Sequence, residues 1–215
     1  MCIRDRYRVG RLGAMVDPFK DFVSGSNRTF GYVNTGTLIA DKTGVGVGIC
    51  PLDHGIVSFG DKGLCMIDDN YVPDKPTALI NMYNNIWTIN FPYWIQGSLS
   101  SKVRVWATDN LQPESLIIPA TEALSPVLTG YADNGSGLLQ DIGIGMQFSR
   151  LGVKVISFTR DSEGQDILQL WETIGKSENL TITMPENSKF VEAIPIDLRG
   201  MTVGCLLYTS PSPRD

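Results

Sequence analysis

The sequence has little histidine and little cysteine, the residue types that most often hold a protein-bound metal. It holds one histidine, His54, and four cysteines among 215 residues. A histidine-rich metal site within the chain is therefore not expected, and no residue is assigned as a metal ligand. No apolar run approaches the ~20 residues of a membrane-spanning helix, so no membrane partner is expected. Basic residues are outnumbered, 18 Lys and Arg against 23 Asp and Glu, for a net charge of −5. A nucleic-acid partner would want a basic stripe, and none is expected here. There is no internal repeat and no low-complexity tract. No segment of helix length carries convincing apolar recurrence at the helical period.

The two ends match each other rather than the chain between them. Met1-Cys2-Ile3-Arg4-Asp5, with the first base of the Arg6 codon, can be back-translated to a DNA whose opposite strand encodes Cys-Leu-Leu-Tyr-Thr, the residues at 205–209. Residues 1–6 and 205–215 are therefore expected to be read-through of a sequencing adapter and stand outside fold reasoning. Residues 7–204 are expected to be an internal piece of a longer protein, which leaves the cellular compartment open. Setting aside Arg4, Arg6, Arg214, Asp5 and Asp215 leaves 15 basic and 21 acidic residues, a net −6. The cysteines that remain, Cys50 and Cys65, lie in apolar runs and are expected to be buried free thiols.

What the chain does have is short strand-like runs between turn residues. Phe30 to Ala40, Val45 to Cys50, Ile56 to Phe59, Leu64 to Ile67, Ala78 to Tyr83 and Leu99 to Trp106 come first. Val153 to Phe158, Ile167 to Trp171, Leu180 to Met184 and Phe190 to Ile196 follow. Tyr7 to Arg28 reads as irregular. Asp41-Lys42-Thr43-Gly44, Asp161-Ser162-Glu163-Gly164 and Gly175-Lys176-Ser177-Glu178 read as turns, the last two joining hairpins. Glycine inside the Val45–Cys50 run suggests a bulge or a close backbone approach. From Leu99 to Trp106 the period is two, with Leu99, Ser101, Val103 and Val105 on one face and Lys102, Arg104 and Trp106 on the other. Residues 111–137, with Pro113, Pro119, Pro126, Gly130 and Gly135, read as a connection without an element of its own. The class is all-β, a sandwich, divided into residues 7–112, a connection at 113–136, and residues 137–204.

One stretch concentrates chemistry. Asn84-Asn85-Ile86-Trp87-Thr88-Ile89-Asn90-Phe91-Pro92-Tyr93-Trp94 sets three amides among aromatic rings. Amides that both donate and accept, beside flat apolar rings, suit a sugar-binding surface. The same asparagines could instead tie a turn. Lys102, Arg104 and Trp106 could grip a ligand hydroxyl or form a solvated face. Asp53 and His54 read as a turn carboxylate and a surface imidazole, since no nucleophile stands nearby in a recognisable motif. Asp68 and Asp69 are neighbours on opposite faces of any strand and read as a solvated loop. Trp171-Glu172 reads as core packing with an exposed acid. Gly44, Gly46 and Gly48 lack a following helix, which excludes a phosphate cradle. No catalytic residue is assigned.

Several stretches together form a familiar order: Leu12-Gly13-Ala14-Met15-Val16-Asp17-Pro18, Asn27-Arg28, Cys50-Pro51-Leu52-Asp53, Ile56-Val57-Ser58-Phe59-Gly60, Asn84-Asn85-Ile86-Trp87-Thr88-Ile89-Asn90, Leu168 to Gly175, and Asp197-Leu198-Arg199-Gly200. In this order and spacing the chain resembles the C-terminal β region of glycoside hydrolase family 38, the α-mannosidases and their bacterial relatives. It departs at His54-Gly55, where the family usually has Ala-Pro. The resemblance implies a portion of a galactose-mutarotase-like β-supersandwich followed by a smaller β-sandwich. It implies a retaining parent glycosidase whose zinc, nucleophile and acid lie in an N-terminal β/α domain, leaving no cofactor in this chain. The β region would pack on that domain and lend Asn84, Asn85, Trp87 and Asn90 to the wall of a pocket for a mannoside-like glycan, to which Arg104 is added from the charged face of its own strand. A non-catalytic carbohydrate-binding β module, and an enzyme of the mutarotase or polysaccharide-lyase type, are the alternatives.

Overall fold

Three Asp-x-x-Gly segments close turns in the same way. In each, the aspartate Oδ1 accepts backbone N–H groups ahead of it. For Asp41 the donors are Thr43, Gly44 and Val45, for Asp161 they are Glu163 and Gln165, and for Asp197 they are Arg199 and Met201. The residue after each glycine returns a carbonyl to the aspartate N–H, at 2.8–3.0 Å. The glycines Gly44, Gly164 and Gly200 sit at φ of 96°, 85° and 81°, where a side chain would be strained. A short acceptor at one end and a left-handed residue at the other make each turn locally specified.

The chain is described from a computed structural model, which covers residues 6–11, 13–21, 23, 30–32, 35–60, 68, 70–73, 75–83, 94, 96–131, 143–185, 188, 190 and 192–204. The elements are β1 (Arg6–Arg11), β2 (Ala14–Val16), β3 (Phe30–Tyr32), β4 (Gly36–Ala40), β5 (Gly46–Pro51), β6 (Ile56–Phe59), β7 (Ala78–Ile80), β8 (Val103–Thr108), α1 (Pro113–Leu124), β9 (Gln147–Phe148), β10 (Val153–Arg160), β11 (Asp166–Glu172) and β12 (Ile182–Thr183). The chain divides into two units, residues 1–133 with 150–179, and residues 134–149 with 180–215.

The first unit is predominantly β, with its sheets in a sandwich-like arrangement. A five-stranded antiparallel sheet has the order β2-β1-β4-β5-β8, and a three-stranded sheet the order β3-β6-β7. Strand alternation decides what each face of the larger sheet meets. Tyr7 and Val9 of β1 turn one way and pack on Val57 and Phe59 of β6. Tyr7, Phe19 and Phe59 form an aromatic cluster with centroids 4.9–5.9 Å apart. Leu38, opposite Arg8 in register, turns the other way and is buried with Leu116 and Ile117 of α1 and with Ile174. Cys50 lies on this second face, buried and free, as expected from the sequence, and burial pushes its thiol pKa up. Strands β10 and β11 pair as a hairpin, closed by the Asp161 turn.

The second unit holds a short β9–β12 pair and a bridge between Ile196 and Thr202 that closes the Asp197 turn. Strand β12 pairs with β9 and not with β11, so Gly175-Lys176-Ser177-Glu178 is not a hairpin turn. It follows a tight bend built on the Glu172 carboxylate instead.

Other departures from the sequence-based expectations have local causes. Tyr7 to Arg28 is not wholly irregular, because β1 and β2 pair within it. Helix α1 stands where a bare connection was expected. Pro113 occupies its first turn, where a missing N–H is harmless. Strand β8 also turns the other way from the simple pattern. Val103 and Val105 are 40% and 60% exposed, while Trp106, on the charged face, is half-buried against α1.

Candidate functional site

Of the sequence-predicted wall residues, Asn84, Asn85, Trp87 and Asn90 lie outside the described residues. Arg104 is exposed on β8, opposite Cys50 in register and on the same face as Trp106. Among the described residues it has no hydrogen-bond or ion-pair partner, so its guanidinium is available. Asp53 is a turn carboxylate, as expected, and accepts the Lys102 N–H at 2.7 Å. His54 is half-buried rather than a surface imidazole, and its Nε2 is shut away without a partner. Asp68 accepts the Asn70 N–H within its own loop. Asp69 and Cys65 lie outside the described residues.

A groove that the sequence did not announce lies where β8 leaves the sheet and α1 begins. It encloses about 440 Å³ and is lined by Trp106, Ala107, Thr108, Asp109, Ser115 and Pro119. Its geometry starts at Gly48, the partner of Trp106 across the β5–β8 ladder. A Cβ on Gly48 would stand 2.0 Å from the indole, so the missing side chain is what lets Trp106 lie flat across the strand. From there the indole reaches α1, and Nε1–H donates to the Ser115 carbonyl at 2.9 Å. That carbonyl needs a donor. Its helical partner would be the N–H of the residue four positions on, which is Pro119 and has none.

The start of the helix is tied by side chains that precede it. Gln112, at the cap position, makes no side-chain capping bond. Asn110 Oδ1 serves instead, accepting the Gln112 N–H at 3.0 Å and the Ser115 hydroxyl. Thr108 Oγ1 donates to the Asn110 carbonyl and accepts its N–H, and Asn110 Nδ2 donates to Asp109 Oδ1 at 2.7 Å.

A second polar set braces the same helix. Glu172 accepts the N–H groups of Ile174 and Gly175 and a bond from Arg150 Nη1, whose Nη2 donates to the Lys176 carbonyl. Desolvation opposes charge on Glu172, but the backbone donors of Gly175, Lys176 and Ile174, with Arg150, outweigh it and hold the pKa below the usual range. The Lys176 ammonium pairs with Glu114 in the first turn of α1 and lowers that carboxyl as well. This set holds structure.

Among the described residues no group of three or more His, Cys, Asp or Glu side chains could hold a metal ion. They do not fit a zinc site. No protein-family model, curated protein or solved structure matches the chain.

Proposed function

We propose that the chain is the accessory C-terminal β region of a glycoside hydrolase of the α-mannosidase type, supporting a zinc-dependent catalytic domain elsewhere in its parent protein. The observation that carries this reading is the ordered set of motifs from Leu12 to Gly200, running through a chain that is predominantly β. Cys50-Pro51-Leu52-Asp53 falls at the end of β5, where Asp53 pins the approach to β8, and Arg104 on β8 presents a free guanidinium. The β region contributes glycan contacts through Asn84, Asn85, Trp87, Asn90 and Arg104. The catalytic carboxylates and the zinc belong to the β/α domain, and packing against that domain completes the pocket. The galactose-mutarotase-like form of the sandwich is part of the same proposal.

A non-catalytic carbohydrate-binding module is the second reading. The open groove beside Trp106 favours it over a mutarotase or lyase, which would need an acid and base in a concave sheet, whereas the one imidazole is shut away at Nε2.

The test is the source DNA ahead of the Tyr7 codon. A reading frame that continues upstream into a β/α domain with a His-x-Asp pair is the expected result. A true start codon there, or a different domain, overturns the assignment.

A further inference from the structure

We propose that the groove between the end of β8 and α1 is a binding subsite for a neutral hexose unit, built from residues other than those of the Asn84–Asn90 stretch. The inference rests on the carbohydrate reading above and adds a second contact point to it.

The groove has an unusual hydrogen-bonding balance. Its lining side chains carry three donors, and all three are committed inward. Trp106 Nε1–H goes to the Ser115 carbonyl, the Thr108 hydroxyl to the Asn110 carbonyl, and the Ser115 hydroxyl to Asn110 Oδ1. What remains for a ligand is acceptors. Asp109 is exposed and uses Oδ1 for Asn110, which leaves Oδ2 open. Thr108 and Ser115 oxygens keep lone pairs. Beside this rim stand two carbon surfaces, the Trp106 indole and the Pro119 ring. Among the described residues no lysine or arginine lines the groove, and the side chains that do would not hold a phosphate or a carboxylate.

A site that offers acceptors and apolar rings selects a ligand that brings donors and a C–H face. A pyranose does both. Its hydroxyls can donate to Asp109 Oδ2 and the rim oxygens while its ring carbons lie against indole and proline. The open volume of about 440 Å³ leaves room for one sugar ring lying against the surface. The groove is open, which fits one unit of a chain that continues into solvent. A bare ammonium would also find the carboxylate and the indole, so the test includes one.

The test is a titration of the whole ¹⁵N-labelled chain with methyl α-mannopyranoside and, separately, with choline, following the assigned indole N–H resonances of the four tryptophans. The expected result is a saturable shift of the Trp106 indole with the mannoside. Asp109→Ala should weaken that binding about tenfold or more, the effect of losing a hydrogen bond to a charged group. Its Tm should fall only slightly, because Asp109 is exposed and loses a single surface bond from Asn110. A shift of the Trp87 indole alone overturns the subsite and leaves the proposed function standing. Saturation by choline and not by the mannoside makes the groove a cation site and also overturns it. No shift at Trp106 with either probe does the same, while the source-DNA test decides the parent assignment independently.

Discussion

The Trp106 indole N–H donates to the carbonyl of Ser115, the one helix carbonyl in α1 that Pro119 leaves without its normal donor. A proline inside a short helix ordinarily costs about 3 kcal/mol. Here a side chain from the neighbouring strand supplies the missing hydrogen bond, and the same contact shapes the groove. Trp106→Phe should destabilise the chain by about 1–3 kcal/mol, since it strands a carbonyl and loses packing. Pro119→Ala restores a backbone N–H to that carbonyl, so the cost of Trp106→Phe should shrink in the Pro119→Ala background. Urea denaturation of the two single variants and the double variant measures the coupling. Equal costs in both backgrounds would show that the hydrogen bond is not what Trp106 contributes.

Gly48 is the other half of that arrangement. Gly48→Ala places a methyl within 2.0 Å of the indole, and either the ring or strand β5 must move. The expected cost is about 1–3 kcal/mol, read as a lower urea midpoint. It should be accompanied by loss of the ordered Trp106 near-UV signal. A variant as stable as the parent chain, with that signal intact, would mean the indole does not rest on Gly48.

Much of this framework is legible in the sequence, and the parts that are not have identifiable causes. The Asp41 and Asp161 turns are visible because an aspartate and a glycine three residues on each have one local job. Ile56–Phe59 is visible because its residues are mostly β-branched or aromatic and are bounded by glycine. Helix α1 is hidden because Pro113 and Pro119 look like breakers. One is harmless at the helix start, and the other is rescued by a tryptophan from a different strand, which no local pattern reveals. The orientation of β8 is hidden for a related reason. Alternation separates Val103 and Val105 from Arg104 and Trp106, but the glycine across the ladder decides which set is covered. The groove is a product of those two non-local facts. Strand β1 carries a period-two signal in Tyr7 and Val9 that its arginines and Gly10 obscure.

Acid should loosen the brace on α1. Glu172 and Glu114 both have pKa values lowered in the folded chain. A lowered carboxyl stabilises the fold fully above its unfolded value, about 4.3, and that stabilisation is lost as pH falls through the folded value. Tm measured from neutral pH down into strong acid should therefore drop more for the parent chain than for Glu172→Gln once the pH passes below about 4.3. Parallel curves for the two proteins would show that the Glu172 charge does not stabilise the bend.

Leu38 tests the second face of the large sheet. It is fully buried against Leu116, Ile117 and Ile174. Leu38→Ala should cost about 2–5 kcal/mol. It should do so without altering the aromatic cluster on the opposite face, where Tyr7, Phe19 and Phe59 meet. A cost below about 1 kcal/mol would mean α1 does not seal that face.

The most direct measurement of the proposed role is steady-state turnover of an aryl α-mannoside by the full-length parent protein, with and without Asn85→Ala. Chelator-sensitive turnover by the parent is the expected result. For the variant, kcat/KM should drop about tenfold or more at an unchanged Tm, because a lost hydrogen bond to substrate is worth about that much. A parent without glycosidase turnover would contradict the assignment, and so would a variant that loses stability while each folded molecule keeps full activity.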